Sequence, residues 1–236
     1  METAVESTSS LTLSLISRGF PKARGLRPGS TIIAGWTGRD RDAIEHHIRE
    51  LEAVGVKRPR ETPLFYRVAA SLATTATAIE VAGATSSGEA EVVLMRLDGD
   101  LWVGLGSDHT DRQLETVGVT IAKQICAKPI ANIAWRLAEV RDHWDRIELR
   151  SFAMRDGERR PYQEGTLAAI TQPWILLEMY EKRGGRFDDG AIMFTGTLPA
   201  IEGVYFSDRF EIELHDPVLA RTIRHAYSVI ALPIND

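Results

Sequence analysis

A two-residue turn signal near the middle of the chain fixes how two flanking strands pair. Asp98-Gly99 separates two apolar runs, and this dipeptide is typical of a tight β-hairpin loop. Such a loop pairs residues whose numbers sum to 197, which puts Glu89 opposite Asp108. A Gly99-Asp100 turn would instead give a sum of 199 and put Glu91 opposite Asp108. Because paired residues and residues two apart share a face, either register gathers Glu89, Glu91 and Asp108 on one side.

The face that these three carboxylates share is otherwise apolar. It carries Val93, Met95 and Trp102, which indicates that it points inward, where three unneutralised charges would be very costly. Gly104 and Gly106 lie opposite the glutamates and are expected to leave room for an ion and a ligand. Oxygen ligands favour a hard divalent cation, so Mg2+ or Mn2+ is predicted rather than zinc. The alternative is a solvated acidic face that Lys or Arg residues from elsewhere balance.

Composition excludes several partners. The chain has 236 residues and a formal net charge of -5, so one sizeable core is possible and there is no basic footprint for nucleic acid. Cys126 is the single cysteine, which excludes an intramolecular disulfide. The longest apolar stretch near the N-terminus, residues 11–16, is too short for a membrane or signal segment. We therefore expect a cytoplasmic protein with neither nucleic-acid nor membrane partners.

Hydrophobic periodicity predicts a strand-rich α+β chain. Residues 1–10 are polar and rich in Ser and Thr, which predicts a disordered N-terminus. Residues 11–236 contain no internal linker, so a single domain is expected. Besides the hairpin, strands are predicted at 11–15, 31–36, 63–68, 147–154, 191–195 and 210–214. Helices are predicted after Asp40 and Thr171 and across 135–144, while the residues after 217 fit either a helix or a returning hairpin strand.

Several short patterns occur in the order in which the fumarylacetoacetate hydrolase superfamily has them. The resemblance is carried by His47-Ile48-Arg49-Glu50, Pro63-Leu64-Phe65-Tyr66-Arg67, Glu89-Ala90-Glu91, Ser107-Asp108-His109-Thr110-Asp111-Arg112, Ala122-Lys123 and Thr195-Gly196-Thr197. The chain resembles a short, divergent member of that superfamily, close to an uncharacterised subgroup that is grouped as a domain of unknown function. It departs from the family pattern at Ser107 and Leu198, and His109 and Asp111 have no clear family counterpart.

The resemblance implies a fold, an assembly and an activity. The implied fold is a mixed β-roll or sandwich with a few flanking helices, in which residues 11–236 form one catalytic domain, and the implied assembly is a homodimer. The implied activity is hydrolytic cleavage of a carbon–carbon bond in a small 2-oxo or 1,3-diketo acid through a metal-bound enolate. Glu89, Glu91 and Asp108 would hold Mg2+ or Mn2+.

The same resemblance assigns roles to further residues. His47 and Glu50, three apart on a helix, would activate water. Lys123 and Thr197 would donate hydrogen bonds to the developing oxyanion. The substrate would be bound by Arg112, Arg67, Thr195 and Gly196. Alternatively, Arg112 would orient Asp108.

Other interpretations of these residues stay open. A 2-oxo acid decarboxylase, hydratase or isomerase could use the same metal site, and so could a noncatalytic module that binds a metal or metabolite. Without the family context, His47 would be a packed histidine, Lys123 a solvated lysine, and Thr195-Gly196-Thr197 a strand end with a tight turn. A catalytic role for His47 requires it to face the metal across an open cleft.

Overall fold

The computed structural model of the protein describes residues 10–53, 55 and 57–235. Within the first helix, the side chains of Ala43, His47, Glu50 and Leu51 lie outside the described part. Residues 1–9 also lie outside it, so the predicted disorder of the N-terminus stays a prediction.

The described residues form sixteen strands and five α-helices. The strands are β1 (Leu11–Ser17), β2 (Phe20–Leu26), β3 (Ser30–Gly35), β4 (Leu64–Val68), β5 (Ala73–Thr74), β6 (Ala78–Ala82), β7 (Ser86–Ser87), β8 (Ala90–Leu97), β9 (Asp100–Ser107), β10 (Thr110–Asp111), β11 (Lys128–Arg136), β12 (Glu148–Arg155), β13 (Glu158–Thr166), β14 (Ala191–Thr197), β15 (Arg209–Asp216) and β16 (Arg221–Leu232). The helices are α1 (Arg41–Ala53), α2 (Arg112–Glu115), α3 (Val119–Gln124), α4 (Leu137–Val140) and α5 (Pro173–Lys182). Three 3-10 segments lie at Ala70–Leu72, Arg141–Arg146 and Leu167–Ala169.

Two mixed sheets dominate the architecture. The larger has nine strands in the order β2-β1-β11-β9-β8-β14-β3-β4, with β5 paired to β11. The smaller has five strands in the order β13-β12-β15-β16-β6, and β7 pairs with β10 separately. Strands β8 and β9 therefore lie in the middle of the larger sheet, between β14 and β11.

Antiparallel strands commonly leave one face to solvent. Both faces of the β8–β9 hairpin are buried. Val92 and Leu94 belong to a cluster that also contains residues of α5 and of the smaller sheet. Val93 and Met95 belong to a second cluster, whose buried members all come from the nine-stranded sheet. That sheet therefore covers its own inner face, as a β-roll does. The predicted strand-rich α+β fold with a few flanking helices is confirmed.

The register of the hairpin is the one that the Asp98-Gly99 turn predicts. Leu97 pairs with Asp100 and Glu91 with Gly106, so the paired numbers sum to 197, and the register that sums to 199 does not occur. Asp98 and Gly99 have φ angles of 54 and 76 degrees, as a type I′ turn requires at both central positions. The turn residues therefore decide which side chains meet at the far end of the hairpin.

Two other sequence predictions have clear outcomes. The helix predicted across 135–144 is wrong in its first part, because Trp135 lies in β11, where β1 and β9 pair with it on either side and satisfy its backbone. Only Leu137–Val140 and the 3-10 segment that follows are helical. The residues after 217 return as β16, antiparallel to β15. No helix in the described part of the chain is long and apolar enough to cross a membrane.

Candidate metal centre

The open end of the β8–β9 hairpin brings the three predicted carboxylates together. Glu89 immediately precedes β8, Glu91 lies within it and Asp108 follows β9. The Asp108 N–H donates to the Glu89 carbonyl oxygen at 2.9 Å, which continues the ladder one pair beyond the strands. One carboxylate oxygen of each residue lies within 4.8 Å of the others. Glu91 and Asp108 are buried and Glu89 is partly exposed, so the cluster opens to solvent on the side of Glu89.

The space opposite the glutamates is packed, which corrects one expectation. A Cβ atom on Gly106 would lie 2.8 Å from the Phe194 ring and 2.8 Å from Val93, and one on Gly104 would lie 2.8 Å from Met95. These side chains therefore fill the volume that the two glycines leave. The glycines permit close packing under the carboxylates and do not form a cavity for an ion.

Three cationic side chains accompany the carboxylates. The Lys123 ammonium, on α3, is hydrogen-bonded to Asp108 Oδ2 and lies 3.9 Å from Glu89 Oε2. Lys128, the first residue of β11, has its Nζ 3.1 Å from Asp108 Oδ1. Arg112 Nη2 lies 3.1 Å from Glu89 Oε1. Lys and Arg residues do balance the acidic cluster, as the alternative interpretation expected, but the face is not solvated, because Asp108 and Lys128 are both fully buried.

The cluster separates the pKa values of its two buried carboxyl groups. Burial, followed by the negative charges of Asp108 and Glu89, raises the pKa of Glu91 well above its usual range. Burial also acts to raise the pKa of Asp108, but Lys123 and Lys128 outweigh it and lower that pKa to about 2. The two side chains differ because the ammonium groups contact Asp108 and not Glu91.

Strand β14 fixes the orientation of Glu91. The Gly196 N–H donates to Glu91 Oε2 at 2.7 Å. Gly196 has a φ of 101 degrees, and a Cβ atom there would lie 1.7 Å from Thr37 Oγ1, so only glycine fits this position without rearrangement. The Gly196 N–H thus positions a candidate metal ligand, and the predicted role of Gly196 in substrate binding stays a prediction.

The two threonines beside Gly196 are engaged with the backbone of β8. Thr195 Oγ1 donates to the Val92 carbonyl at 2.9 Å, and Thr197 Oγ1 donates to the Ala90 carbonyl at 2.7 Å. Thr197 Oγ1 also accepts from Gln163 Nε2 at 2.6 Å. A hydroxyl has one proton to donate, and in this arrangement the Thr197 proton goes to the Ala90 carbonyl, so its predicted donation to an oxyanion stays a prediction.

The two predicted substrate-binding arginines have other partners. Arg112 contacts Glu89, lies 3.1 Å from Glu115 through Nη1 and donates from Nε to Ser87 Oγ at 2.6 Å. These contacts orient Glu89, and the predicted binding of a substrate carboxylate by Arg112 stays a prediction. Arg67 Nη1 lies 3.4 Å from Tyr180 Oη, on the face of the sheet that packs against α5. Arg67 is thus separated by the sheet from the carboxylates, because residues alternate between faces along β4.

The predicted water-activating pair is placed only in part. His47 and Glu50 lie on α1, but their side chains are outside the described residues, so the dyad stays a prediction.

His109 and Asp111, which have no clear family counterpart, make structural contacts. His109 lies 2.8 Å from Ser86 Oγ and 3.1 Å from Tyr227 Oη, and burial, with Lys128 and Arg112, lowers its pKa to about 3. Asp111 caps α2 by accepting from the Leu114 N–H.

Three residues at the site were missed by the sequence interpretation. Lys128 is fully buried against Asp108, and its position directly before the apolar start of β11, at Pro129-Ile130-Ala131, is the signal that could have indicated this. Gln163 links β8, β12 and β14 through Ala90, Ser151 and Thr197, and no local pattern identifies it. The Tyr66 ring lies 6.0 Å from Lys123 Nζ.

The residues present fit a hard divalent cation. All three candidate ligands offer carboxylate oxygens, the ligand type that Mg2+ and Mn2+ prefer. Asp108 Oδ1 is buried and lies 3.1 Å from the Lys128 ammonium, so the fit to an ion rests on the three carboxylates as a donor set. Glu89, Glu91 and Asp108 could therefore hold such an ion.

The comparison with known proteins shows the family of the chain. The model of the family described as "Protein of unknown function (DUF2848)" matches residues 34–227. The chain belongs to this family. None of the curated proteins is significantly similar to the chain in sequence.

Several solved structures are similar in fold to this DUF2848 chain, at low sequence identity. A putative fumarylpyruvate hydrolase from Burkholderia cenocepacia has a TM-score of 0.63 and 17% identity, covering 99% of this chain and 100% of that one. A putative fumarylacetoacetate hydrolase family protein from Yersinia pestis CO92 has a TM-score of 0.62 and 18% identity, covering 87% and 94%. A 2-keto-3-deoxyarabinonate dehydratase has a TM-score of 0.59 and 15% identity, and the match covers 89% of this chain and 75% of that one. The DUF2848 match agrees with the predicted subgroup of unknown function, and at such identities the solved structures establish the fold.

Proposed function

We propose that the chain is a divalent-metal-dependent enzyme that hydrolyses a carbon–carbon bond in a small 2-oxo or 1,3-diketo acid. The observation that carries the proposal is the convergence of Glu89, Glu91 and Asp108 to within 4.8 Å at one end of a buried hairpin. Its support is the fold, which is similar to that of a putative fumarylpyruvate hydrolase. The proposed ion is Mg2+ or Mn2+, and when bound it would act as a Lewis acid and template for two adjacent substrate oxygens.

Lys123 is the proposed donor to the substrate oxygen that gains negative charge. Its ammonium has three protons, and the described acceptors near it are carboxylate oxygens of Asp108 and Glu89. Those carboxylates hold the ammonium charged, since they outweigh burial and raise its pKa. A fixed positive donor at the point where charge develops stabilises the transition state more than the ground state.

Arg112 and Gly196 are positioning residues in this proposal. Arg112 holds Glu89 on one side of the cluster, and the Gly196 N–H holds Glu91 on the other. Each contact fixes a carboxylate before an ion arrives, which reduces the reorganisation that binding requires. Thr195 and Thr197 support the same strand through the backbone of β8.

Water activation is assigned to His47 with Glu50. A neutral imidazole accepts a proton near pH 7, and a carboxylate three residues away on a helix can orient it. The hydroxyl oxygen adds to one carbonyl carbon, the bond between that carbon and its neighbour breaks, and the electron pair stays on the neighbouring carbon. That carbon then takes up the proton, so the products are a carboxylic acid and a shorter oxo acid.

Dehydration is the second candidate reaction. A similar structure belongs to a 2-keto-3-deoxyarabinonate dehydratase, and a site that stabilises an enolate serves elimination as well as cleavage. Decarboxylation, isomerisation and noncatalytic binding of a metal or metabolite also fit the acidic cluster. The assembly is expected to be a homodimer, and the cytoplasmic location and the absence of nucleic-acid and membrane partners stay predictions from composition.

A substrate panel tests the proposal. The purified protein is incubated with Mn2+ or Mg2+ and with acylpyruvates, oxaloacetate or sugar-derived 3-deoxy-2-oxo acids, and the products are identified by NMR. Hydrolysis yields two acids, dehydration yields water and a deoxygenated oxo acid, and decarboxylation yields carbon dioxide. Glu91→Gln and a chelator-treated sample serve as controls. Turnover that persists in both controls would contradict a metal-dependent reaction at this site.

A further inference from the structure

Tyr227 lies on β16 of the five-stranded sheet, and its side chain reaches the end of the β8–β9 hairpin in the other sheet. The residue is completely buried. Its Oη lies 2.8 Å from Ser107 Oγ and 3.1 Å from His109 Nδ1. Ser107 and His109 are the residues on either side of the candidate ligand Asp108. One phenol oxygen therefore holds the chain immediately before and immediately after a candidate ligand.

The same oxygen is connected to a second candidate ligand through Ser107. The Glu89 N–H donates to Ser107 Oγ at 3.1 Å, and the Glu89 carbonyl accepts from the Asp108 N–H at 2.9 Å. The backbone of Glu89 is thus tied to two consecutive residues at the end of the hairpin. Because Tyr227 is hydrogen-bonded to the first of them, its oxygen is placed to set the spacing between the Glu89 and Asp108 carboxylates.

His109 extends this connection to the segment that precedes Glu89. Its Nε2 lies 2.8 Å from Ser86 Oγ, and Ser86 belongs to β7, which pairs with β10 directly after His109. Both ring nitrogens of His109 therefore have hydroxyl partners, and the Phe210 ring packs edge-on at 5.8 Å. The imidazole is buried and held in one orientation, so Tyr227 and His109 together join β16 to both ends of the candidate site.

The space around the Tyr227 hydroxyl is filled. A Cβ atom on Gly88 would clash with Tyr227 Oη and would lie 3.1 Å from the Phe210 ring. The phenol thus packs directly against the residue that precedes Glu89. Phenylalanine at position 227 would keep the ring and its packing, so Tyr227→Phe removes the oxygen and its two hydrogen bonds and little else.

We propose that Tyr227 is a positioning residue that fixes the spacing of the Glu89 and Asp108 carboxylates and thereby makes the site prefer a small divalent cation. Mg2+ demands near-ideal geometry and short contacts to oxygen, whereas the larger Ca2+ accepts looser and more variable coordination. Carboxylates held at a fixed spacing therefore favour the smaller ion, and loosened carboxylates favour Ca2+. The inference rests on the proposed function, because it concerns the same ion site, and it assigns the ion preference to a residue that acts through Ser107 and His109.

The experiment measures the Kd of Mn2+ for the full chain and for Tyr227→Phe, with free Mn2+ read by EPR, and then the displacement of Mn2+ by Ca2+. We expect the variant to bind Mn2+ at least about tenfold more weakly, as loss of an outer contact of a metal site typically causes. Ca2+ should weaken less than about threefold, because it tolerates the looser site. An unchanged Mn2+ Kd, or Ca2+ that displaces Mn2+ no more readily from the variant, overturns the inference.

Tyr180→Phe is the matched control. It removes the phenol oxygen of another buried tyrosine, whose Oη lies 3.4 Å from Arg67 Nη1 on the face of the sheet away from the carboxylates. Both ion affinities should stay within about twofold of those of the unaltered protein, because the site is distant. A loss of stability alone lowers the Tm without changing the ratio of the Ca2+ and Mn2+ Kd values, so this ratio distinguishes positioning from a general structural role.

Ser107→Ala tests the same connection and decides the question if Tyr227→Phe does not fold, as judged by circular dichroism. It breaks the link between Tyr227 and the Glu89 N–H, so the ion preference should shift towards Ca2+ here too. Where both single variants fold, the double variant should change the Mn2+ Kd by less than the product of the two single effects, because both act on one chain of hydrogen bonds. An unchanged ion preference in a folded Ser107→Ala protein overturns the inference.

The measurements separate this inference from the proposed function. If Mn2+ fails to bind the unaltered protein, the ion site itself is wrong and both proposals fall. If Mn2+ binds and Glu91→Gln abolishes binding, the ion site stands. An unchanged ion preference in Tyr227→Phe would then overturn only the role of Tyr227.

Discussion

The backbone N–H of Gly196 lies 2.7 Å from Glu91 Oε2, so a strand that neighbours the hairpin holds one of the three candidate ligands. The contact is possible because Gly196 adopts a φ of 101 degrees and has no Cβ where the Thr37 side chain lies. Two separate segments, the residues after β3 and the end of β14, therefore determine the position of a carboxylate on β8. The fold contributes to the ion site through backbone geometry as well as through ligands.

Gly196→Ala should disturb both folding and ion binding. The added Cβ would meet Thr37 Oγ1 at 1.7 Å and would also be strained at positive φ, so we expect a loss of about 2–4 kcal/mol in the free energy of unfolding. Thermal melts with and without Mn2+ measure it. Gly184→Ala is the control, because Gly184 has a φ of 83 degrees with no atom within 4 Å of the added Cβ. An equal loss in both variants would mean that strain alone, and not the contact with Thr37, accounts for the effect.

Glu91→Gln should remove stabilisation by the ion. An ion that binds only the folded state stabilises it by about 2.7 kcal/mol at a concentration one hundred times its Kd. We expect Mn2+ to raise the Tm of the unaltered protein and to have little effect on this variant. Glu80→Gln, on the exposed side of β6, should keep the full shift. An undiminished shift in Glu91→Gln would take Glu91 out of the site.

Lys123→Ala should separate binding from catalysis. Loss of a donor to the developing oxyanion lowers kcat by about 10²–10³-fold, while the three ligand carboxylates remain, so Mn2+ should still bind at least as tightly as before. Turnover assays on a substrate found in the panel and Mn2+ titrations measure the two effects. Unchanged kcat would make Lys123 only a counter-charge for Asp108.

The sequence predicted the part of the site that depends on local rules. Asp98-Gly99 specifies the turn, the turn specifies the register, and the register brings Glu89 opposite Asp108. What packs against that face depends on distant segments, and so the sequence could not reveal it. Gly104 and Gly106 were expected to leave a cavity, but Met95 and Phe194 occupy the space.

The charged partners were unpredictable for the same reason. Lys128 follows Asp108 by twenty residues, and only the position of β11 beside β9 brings its ammonium to the carboxylate. The motif likewise indicated Arg67 but not the face of β4 on which it lies, which is the face that packs against Tyr180. Local pattern therefore brought the candidate ligands together, and tertiary packing decided their electrostatic partners.

Asp216→Asn should make the free energy of unfolding depend less on pH under acidic conditions. Burial acts to raise the pKa of Asp216, but the N–H groups of Leu219 and Val218 and the His143 side chain outweigh it, so the folded pKa lies below the ordinary value. A lowered folded pKa means that Asp216 contributes stability above its unfolded pKa of about 3.9 and loses it as the pH falls through the folded pKa.

Unfolding by urea between pH 7 and pH 2.5 measures this contribution. We expect Asp216→Asn to be less stable at pH 7 by about 1–3 kcal/mol and to show a shallower decline below pH 4. Asp208→Asn, at an exposed aspartate, is the control and should follow the unaltered protein. Parallel curves for Asp216→Asn and the unaltered protein would show that Asp216 titrates alike in the folded and unfolded states.

Gln163→Met should show that the two sheets jointly support the hairpin. Gln163 Oε1 accepts from the Ala90 N–H at 2.9 Å and from Ser151 Oγ at 2.8 Å, and Nε2 donates to Thr197 Oγ1 and to the Leu198 carbonyl, each at 2.6 Å. Methionine has similar length but leaves buried polar groups without partners, so we expect a loss of about 2–5 kcal/mol. Because Ala90 lies between Glu89 and Glu91, we expect the affinity for Mn2+ to fall together with the stability. Gln113→Met, at an exposed glutamine on α2, controls for the substitution itself, and unchanged Mn2+ affinity in a destabilised Gln163→Met would confine Gln163 to a folding role.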